Sequence, residues 1–438
     1  MKRLTFKKGI HLNYHKEATA DKKIELMLPN KELVFPMSQH IGAPCVPIVK
    51  KGDYVYVGQK IGQADGFMSV PIHSSVSGIV KTIETRMTFK GVRDNCVVIE
   101  NDGLYEEEPQ MKEHIKQVDE NLTKEALIEC IKEAGIVGMG GATFPMHVKL
   151  STPPDKKVSY ILVNGAECEP YLTSDHRVML EYGEEVIKGL SILLHVFKEA
   201  QAIIGIEDNK MDAFEHMTQL AKGTPIKVQL LHTKYPQGSE KHLIYSLTQQ
   251  EVPSGKLPID VGCLVHNVDS VVAVYRAVTK GQPVTRRIVT VAGGAVKKPC
   301  NLEVKIGTSF REVLEYAEVD LEKVIKLIAG GPMMGVAISD VDIPIMKGTS
   351  AILCLTEEEV SKEKPSSCIR CGKCIDVCPM KLMPNALQKS AINGHYDAFL
   401  NKHGMECIEC GCCAYTCPAK REIVQSIRTA KSVIRNKK

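Results

Sequence analysis

Apolar and polar residues alternate in short runs, broken by glycine, from Pro44 to about Glu100. Residues 47–61 and 70–81 both show this alternation, with turn residues between the runs. The pattern predicts a small antiparallel β domain, because successive side chains of a strand point to opposite faces of a sheet. Residues 1–35 mix basic and polar pieces without a clear period, so the sequence makes no prediction of their structure.

Longer apolar runs, interleaved with helical periodicity, follow between residues 121 and 286. Near-continuous apolar runs of strand length are typical of a parallel sheet that is covered on both faces. The alternation of strands and helices therefore predicts an open α/β sheet with right-handed crossovers. The predicted elements are a helix from an N-cap at Thr123 to a stop at Gly135, a strand at 158–163, a helix at 178–200, a strand at 202–206, a helix at 211–221 and a strand at 227–231.

The last third of the chain returns to a β pattern and ends in an amphipathic helix. Strands are indicated at 288–299 and 302–310, followed by a helix and by a glycine-rich turn at 330–335. A charged hinge is predicted at 356–364. After residue 418 apolar residues recur at helical spacing among basic ones. Such a helix suits an anionic membrane face, an acidic partner, or packing back on its own domain.

The composition is that of a globular protein with several domains. Its 438 residues carry a net charge of +4 from 56 basic and 52 acidic residues, a balance that does not suggest nucleic-acid binding. Tryptophan is absent and only 5% of the residues are aromatic, so base-stacking surfaces are not expected. No apolar stretch is long enough for a membrane span or a secretory signal, so we expect a soluble protein of the reducing cytoplasm.

Eight of the sixteen cysteines fall in two matching runs with the spacing C-x2-C-x2-C-x3-C-P. Bacterial ferredoxins hold two cubane iron–sulfur clusters with this spacing, and the fourth cysteine of each run ligates the other cluster. We therefore predict two 4Fe-4S clusters, which together form an electron relay. The predicted ligands are Cys368, Cys371, Cys374 and Cys417 for cluster 1, and Cys407, Cys410, Cys413 and Cys378 for cluster 2.

Cysteine pairs of this kind also hold zinc or form disulfides. Zinc needs four ligands per site and would not require two quartets that each end in C-x3-C-P, so the iron–sulfur interpretation is favoured. Cys412 lies out of phase with the ligand spacing, and we expect it to serve packing.

Candidate ligand-binding residues lie around the predicted α/β sheet. A glycine-rich loop at 138–145 exposes backbone N–H groups that can face an anion. A helix precedes this loop and no G-x4-G-K-[ST] occurs, so neither the Rossmann fingerprint nor the Walker phosphate loop is present. The segments 164–170 and 235–240 follow predicted strands, and ligands of open α/β sheets bind beyond the carboxyl ends of the strands.

Four segments together resemble the flavin-site motifs of the NADH-binding flavoprotein subunit of respiratory complex I. They are residues 138–145 with Lys149, then 164–170, 235–240 and 265–269. The resemblance implies that the residues around FMN are Gly138, Gly140, Gly141, Lys149, Asn164, Tyr235, Gly238 and Asn267. It implies that the residues towards NADH are Phe144, Glu167, Glu169 and Glu240.

These residue types suit the chemistry, because lysine and loop N–H groups neutralise phosphate and a carboxylate holds ribose hydroxyls. Two positions depart from the family pattern. Ser239 stands where the family has the first of two adjacent acids, and His266 stands where it has a second asparagine. They leave open a non-catalytic relay or scaffold that has the clusters without the flavin.

Two flanking domains resemble known domain types. Residues 47–61 and 70–81 are similar to the two halves of lipoyl and biotinyl carrier domains. The turn at 64–69 has no lysine to take a swinging cofactor, so a structural or docking role is expected. Residues 287–355 resemble a β-grasp domain of the soluble-ligand-binding type, which is expected to support its neighbours.

The complete order resembles the RnfC family, whose members belong to the Rnf electron transport complex, a membrane-bound ferredoxin:NAD oxidoreductase. The predicted domains are an N-terminal segment with a lipoyl-like barrel-sandwich β domain (1–100), a linker (101–120), an open α/β FMN/NADH-binding domain (121–286), a β-grasp domain (287–355), a two-cluster ferredoxin-like domain (356–425) and a basic helical tail (426–438). The resemblance implies hydride exchange between NADH and non-covalently bound FMN, followed by single-electron transfer through the clusters to membrane subunits, coupled to ion translocation.

The same resemblance implies a peripheral protein on the cytoplasmic side of the cell membrane, with ferredoxin as an indirect partner. A cobalamin-reductase flavoprotein of bacterial microcompartments shares most of these parts. It places its lipoyl-like domain at the other end of the chain, so the domain order favours the Rnf family.

Overall fold

The computed structural model of the chain describes residues 2–89, 91–109, 111 and 122–437. Residues 110 and 112–120 of the predicted linker lie outside the described residues. The strands are β1 (Ile24–Met27), β2 (Glu32–Pro36), β3 (Val46–Pro47), β4 (Tyr54–Val55), β5 (Lys60–Gln63), β6 (Ile72–His73), β7 (Gly78–Met87), β8 (Arg93–Asn101), β9 (Tyr160–Gly165), β10 (Gln201–Glu207), β11 (Lys227–Leu231), β12 (Cys263–Asn267), β13 (Arg286–Ala292), β14 (Cys300–Lys305), β15 (Lys326–Ala329), β16 (Val336–Ile338) and β17 (Ala351–Leu355). The helices are α1 (Lys124–Glu133), α2 (Met146–Leu150), α3 (Ser174–Glu181), α4 (Gly183–Val196), α5 (Met211–Leu220), α6 (Glu240–Thr248), α7 (Val268–Lys280), α8 (Phe310–Tyr316), α9 (Lys373–Asp376), α10 (Pro384–Ile392), α11 (Tyr396–Asn401), α12 (Cys412–Tyr415) and α13 (Ile423–Asn436).

The central α/β domain contains a four-stranded parallel sheet in the order β11-β10-β9-β12. The strands predicted at 202–206 and 227–231 are confirmed as β10 and β11, and the predicted helix before the glycine-rich loop is confirmed as α1. Its N-cap Thr123 accepts a hydrogen bond from the Ala126 N–H at 3.2 Å. The hydroxyl thus satisfies one of the backbone donors that the start of a helix leaves without a partner.

The single helix predicted at 178–200 is wrong, because two helices, α3 and α4, occupy this segment and meet at Tyr182. Gly183 begins the second helix. A Cβ at Gly183 would lie 2.7 Å from Leu220 Cδ1, so α5 packs closely against this break. The apolar period continues across the break, which is why the pattern alone predicts one helix.

The N-terminal β domain has two small antiparallel sheets, in the orders β2-β8-β7-β4 and β3-β5-β6. The turn at 64–69 lies against the central domain. His147 Nε2 of α2 is 2.9 Å from the Phe67 carbonyl oxygen. The Ile41 N–H donates to the Thr143 carbonyl at 3.2 Å. This domain therefore abuts the glycine-rich loop.

A six-stranded mixed sheet follows the central domain, in the order β1-β14-β13-β17-β15-β16. Its edge strand β1 comes from the N-terminal segment and pairs in parallel with β14. The turn at 330–335 connects β15 to β16 and reaches the other domains. The N-terminal segment is therefore part of this sheet, and no periodic pattern in the sequence predicts that.

Residues 2–23 form an extended segment, here called the N-terminal strap, which crosses between domains. Ile10 exchanges two backbone hydrogen bonds of 2.9 Å with Tyr235, in the third flavin motif. The Gly9 N–H donates to the Val377 carbonyl at 3.1 Å, one residue before a predicted cluster ligand. The strap thus joins the flavin domain to the cysteine-rich domain.

The cysteine-rich domain ends in helix α13, whose apolar residues Ile423, Ile427, Ala430 and Ile434 are buried. They pack with α10 and with Phe399 of α11. The amphipathic C-terminal segment therefore packs back on its own domain. Among the described residues, no helix combines the length and the apolar character that crossing a membrane requires.

Candidate functional site

The flavin motifs meet at the carboxyl end of the parallel sheet. Asn267 is the last residue of β12, and Asn164 is the last but one of the neighbouring strand β9; the two lie opposite each other in register. The Asn164 Nδ2 donates to the Gly238 carbonyl at 2.8 Å. The Asn267 Oδ1 caps α7 by accepting from the Asp269 N–H at 2.9 Å. The Asn164 side chain thereby links the second motif to the third, and the pairing of β9 with β12 links the second motif to the fourth.

The glycine-rich loop lies over the end of β12. A Cβ at Gly140 would be 3.7 Å from Asn267 Nδ2, and one at Gly141, whose φ is +101°, would have no atom within 4 Å. These glycines therefore border open space in front of Asn267, a cradle that fits a flat ligand close to the main chain. Arg287 holds the loop from behind, because its Nη2 donates to the Met139 carbonyl at 2.9 Å.

Lys149, Phe144 and Glu240 lie together beside β12. The Lys149 Nζ is 2.7 Å from Glu240 Oε1, donates to the Val265 carbonyl at 3.1 Å, and lies 5.9 Å from the centre of the Phe144 ring. The Phe144 carbonyl closes the glycine-rich loop by accepting from the Gly138 N–H at 2.9 Å. The structure thus brings a cation, a carboxylate and an aromatic ring to one end of the loop.

The two departures from the complex I pattern have defined positions. His266 is buried in β12, and its Nε2 has no hydrogen-bond partner among the described residues. Burial and the nearby charge of Lys149 lower the pKa of His266 to about 3, so the ring is neutral at neutral pH. Ser239 precedes α6, and its Oγ lies 3.1 Å from His242 Nδ1.

Tyr235 is fully buried and its side chain points to the cysteine-rich domain. The hydroxyl donates to the Cys410 carbonyl at 2.7 Å. Gly238, three residues later, donates its N–H to Cys168 Sγ at 3.3 Å. A Cβ at Gly238 would lie 3.3 Å from the same sulfur, so this position has little room for a side chain.

Glu167 and Glu169 are engaged inside the protein. The Glu167 Oε1 accepts from the Asp175 N–H at 2.7 Å, at the start of α3. The Glu169 carboxylate accepts from the N–H groups of Met333 and Met334 at 3.0 and 2.9 Å, on the 330–335 turn. Burial raises the pKa of Glu169 to about 7, against the opposing effect of these N–H groups. The sequence-based assignment of both residues to NADH stays a prediction.

The eight predicted cluster ligands form two separate groups around two cavities. One cavity is lined by Cys378, Cys407, Cys410 and Cys413. The other is lined by Cys368, Cys371, Cys374 and Cys417. In each group the fourth cysteine comes from the other run, which is the crossed arrangement that the spacing predicts.

Each cysteine group supplies the four thiols that one cubane cluster needs. In the described parts of the chain, no three His, Cys, Asp or Glu side chains converge tightly enough to hold a single metal ion. Four thiolates around a cubane surround a volume that contains eight iron and sulfur atoms. The two cysteine quartets therefore match the ligand sets of two 4Fe-4S clusters.

Four models of protein families match the chain. They are an RnfC barrel sandwich hybrid domain at residues 4–104, a Nuo51 FMN-binding domain at 131–276, an SLBB domain at 288–337 and a 4Fe-4S dicluster domain at 361–418. The FMN-binding model spans all four flavin motifs, and the dicluster model spans both cysteine runs. Together they give the chain FMN and two 4Fe-4S clusters as cofactors.

Two relatives, both RnfC-type subunits, match over nearly their whole length. The one from the Na+-translocating ferredoxin:NAD+ oxidoreductase complex of Acetobacterium woodii is 47% identical over 98% of this chain and 97% of its own. The one from the proton-translocating complex of Clostridium ljungdahlii is 47% identical over 98% of this chain and 93% of its own. The chain belongs to the RnfC family. A solved NAD+-reducing [NiFe]-hydrogenase aligns with a TM-score of 0.49 and 16% identity, over 71% of this chain and 62% of that one.

The two cluster sites of this RnfC protein differ in their surroundings. The cluster-2 cysteines lie against the flavin domain, where Cys410 accepts the Tyr235 hydrogen bond and Cys412 is fully buried. Cys368 and Cys371 of cluster 1 are exposed. Cluster 2 is therefore the inner site, next to the flavin motifs, and cluster 1 is the outer one. Cys412 serves packing, as the sequence predicts.

Three charged residues at the flavin site are absent from the sequence predictions. Lys16 of the strap donates from Nζ to the carbonyls of Glu167 and Glu169 at 2.9 and 3.0 Å. Asp175 accepts from Asn267 Nδ2 at 2.7 Å, and burial raises the pKa of its carboxyl group. The Arg287 Nη1 binds an aspartate of α7 at 2.6 Å. Of the three, only Asp175 lies close to a motif in the sequence, five residues beyond the second one, so only Asp175 could have been predicted as a site residue.

Proposed function

We propose that this RnfC chain exchanges hydride with NADH at its FMN cradle and passes electrons singly through cluster 2 and then cluster 1 to another subunit of a membrane-bound ferredoxin:NAD+ oxidoreductase complex. The observation that supports this path is the direct packing of the third flavin motif on cluster 2, through the 2.7 Å bond from Tyr235 to Cys410. Bound FMN supplies the conversion between the electron pair of NADH and single electrons.

The roles of the cradle residues follow from their chemistry. Lys149 and the N–H groups of Gly140 and Gly141 would bind the FMN phosphate, since a cation and backbone donors are the groups that neutralise it. Asn164 and Asn267 would orient the flavin by hydrogen bonding, and glycine at position 238 lets the third motif pack closely on Asn164. The buried Tyr235 forms the wall between the cradle and cluster 2.

NADH approaches from the end of the loop that carries Phe144 and Glu240. The ring offers a stacking surface, and the carboxylate a partner for ribose hydroxyls once it is released from Lys149. Glu167 and Glu169 would reach the nucleotide only by leaving their bonds to α3 and to the 330–335 turn. In this proposal they shape the segment that faces the nucleotide.

The N-terminal domain and the SLBB domain have supporting roles in this proposal. We propose that the N-terminal domain has the lipoyl-like barrel-sandwich fold and serves docking without carrying a cofactor, and that the SLBB domain is of the β-grasp type. In the complete complex the chain would lie peripherally on the cytoplasmic side of the membrane. Ferredoxin would exchange electrons with it only through other subunits, and those subunits would couple the reaction to ion translocation.

Cofactor analysis with an NADH titration tests the proposed function. We expect about eight iron atoms and one FMN per chain in anaerobically purified protein, and bleaching of the visible iron–sulfur absorption by NADH. Iron without FMN, and no bleaching, would instead establish the relay or scaffold that Ser239 and His266 leave open.

Filling the cradle at one position should remove FMN selectively. Gly140→Leu introduces a side chain at a residue whose Cβ would meet only Asn267, at 3.7 Å. We expect at least about tenfold weaker FMN binding from steric exclusion, with iron content and thermal unfolding unchanged. Gly140→Ala is the control, because a methyl group has space there. Full FMN content in Gly140→Leu would show that the flavin binds elsewhere.

A further inference from the structure

The two cluster-binding turns repeat the same backbone conformation. Arg370 and Glu409, two residues after the first cysteine of each run, have φ of +55° and +59°. Gly372 and Gly411, directly after the second cysteine, have φ of +79° and +84°. Each position in one turn therefore has a structural equivalent in the other. The surroundings of the two turns can be compared position by position.

The cluster-2 turn is covered by the rest of the protein. A Cβ at Gly411 would lie 3.1 Å from the Met333 carbonyl oxygen, and Cys412 is fully buried. Glu409 is neutralised by ion pairs with Arg428 and Lys431 of α13. The SLBB domain, the flavin domain and the C-terminal helix thus close this side of the ferredoxin-like domain.

The cluster-1 turn is uncovered and carries cations at the equivalent positions. Arg370 replaces Glu409 and Lys373 replaces Cys412. Residues 361–371 are all exposed, and Ile369 exposes 67% of its surface. Neither Arg370 nor Lys373, nor Lys364 just before the run, forms an ion pair with any residue that the structure describes. The exposed apolar side chain of Ile369 therefore lies between two cysteines, in a segment that carries three cations without ion pairs to the described residues.

We propose that this cluster-1 face, formed by Lys364, Ile369, Arg370 and Lys373, docks an acidic one-electron carrier protein, another iron–sulfur protein or flavoprotein. Charge complementarity identifies the partner, because free cations around an apolar centre favour an acidic rim around an apolar patch. One electron leaves the reduced cluster 1 and one-electron reduction of the carrier balances it, with no proton transferred. The inference rests on the proposed function and names the kind of partner that accepts electrons from cluster 1.

Charge reversal on this face tests the proposal. Arg370→Glu and Lys373→Glu are suited to the fold, since Glu409 already occupies the equivalent backbone conformation and an acidic residue favours the first turn of a helix. The control is Lys402→Glu with Lys227→Glu, at two exposed lysines outside the cluster-1 face. The probes are the acidic haem domain of cytochrome b5 and, for comparison, the basic cytochrome c, both one-electron acceptors.

We expect the double variant to reduce cytochrome b5 about tenfold more slowly than the unchanged protein at low ionic strength. Added salt should slow the reduction by the unchanged protein but not the reduction by the double variant. Reduction of cytochrome c should become faster, and the control variant should behave as the unchanged protein. Equal iron content of all variants establishes that cluster 1 is intact. Reversal variants that reduce cytochrome b5 at the unchanged rate, with the unchanged salt dependence, would overturn the proposal.

The test separates this inference from the proposed function. Electrons can be supplied by dithionite, so the carrier experiment does not require NADH or FMN. If NADH fails to reduce the clusters but the dithionite-reduced protein shows the charge dependence, the function is wrong and the docking face stands. If NADH reduces the clusters and charge reversal has no effect on either cytochrome, the function stands and the docking face is wrong.

Discussion

Cys378→Ala is expected to abolish the reduction of cluster 1 by NADH, although Cys378 belongs to the cysteine run of cluster 1. Its side chain lines the cavity of cluster 2, together with Cys407, Cys410 and Cys413. Loss of this ligand removes the inner cluster, which lies next to the flavin motifs. The outer cluster then has no neighbour from which to receive electrons.

Cys417→Ala is the matched variant, since Cys417 lines the cavity of cluster 1. It should remove the outer cluster and leave the reduction of cluster 2 by NADH unchanged. Each variant is expected to retain about four of eight iron atoms, because each cubane holds four. Electron paramagnetic resonance after NADH or dithionite addition distinguishes the two. Cys412→Ala, at a buried cysteine in neither quartet, should keep both clusters.

The order of the clusters is what this pair of variants decides. If the remaining cluster of Cys378→Ala is reduced by NADH as fast as the clusters of the unchanged protein, electrons enter at cluster 1 and the proposed path is wrong. If NADH reduces the remaining cluster in Cys417→Ala but not in Cys378→Ala, electrons from NADH enter at cluster 2.

Local sequence was sufficient for the parts of the site that are built from short segments. The four cysteines of each run lie within eleven residues, so their spacing alone predicts which side chains can surround a cluster. The glycine-rich loop and the ends of β9 and β12 were found in the same way, because a strand end and a turn are recognisable within a few residues. Their convergence follows from the parallel order of the sheet.

The remainder depends on contacts between distant segments, which no local pattern encodes. Lys16 binds carbonyls more than 150 residues away. Strand β1 pairs with β14 although nothing in residues 1–35 has a strand period. The Tyr235 side chain was predicted beside FMN on the basis of its motif, and its hydroxyl binds the backbone of a cluster ligand. The contacts of these residues depend on which domain packs against them, and that is not visible in the neighbouring sequence.

Lys16→Met should strongly destabilise the protein, because Lys16 is a buried cation that binds several backbone carbonyls. The ammonium group donates to the carbonyls of Glu167, Glu169 and Leu172 and lies 3.8 Å from the Glu167 carboxylate. Methionine has a similar length but leaves these buried acceptors without a donor. Removing one partner of a buried charged network costs about 3–5 kcal/mol. We also expect loss of FMN, because the carbonyls of Glu167 and Glu169 belong to the second flavin motif.

Thermal unfolding and FMN content measure this effect, with Lys23→Met as the control, since Lys23 is on the same strap but exposed. Burial lowers the pKa of Lys16 to about 8 from 10.5. Between pH 8 and pH 10.5 this lysine binds more protons in the unfolded chain than in the folded one. Its contribution to the free energy of unfolding therefore increases as the pH rises through this range. The stability difference between the unchanged protein and Lys16→Met should therefore widen above pH 8. Equal stability and equal FMN content in the two proteins would mean that the strap does not hold the flavin motif in place.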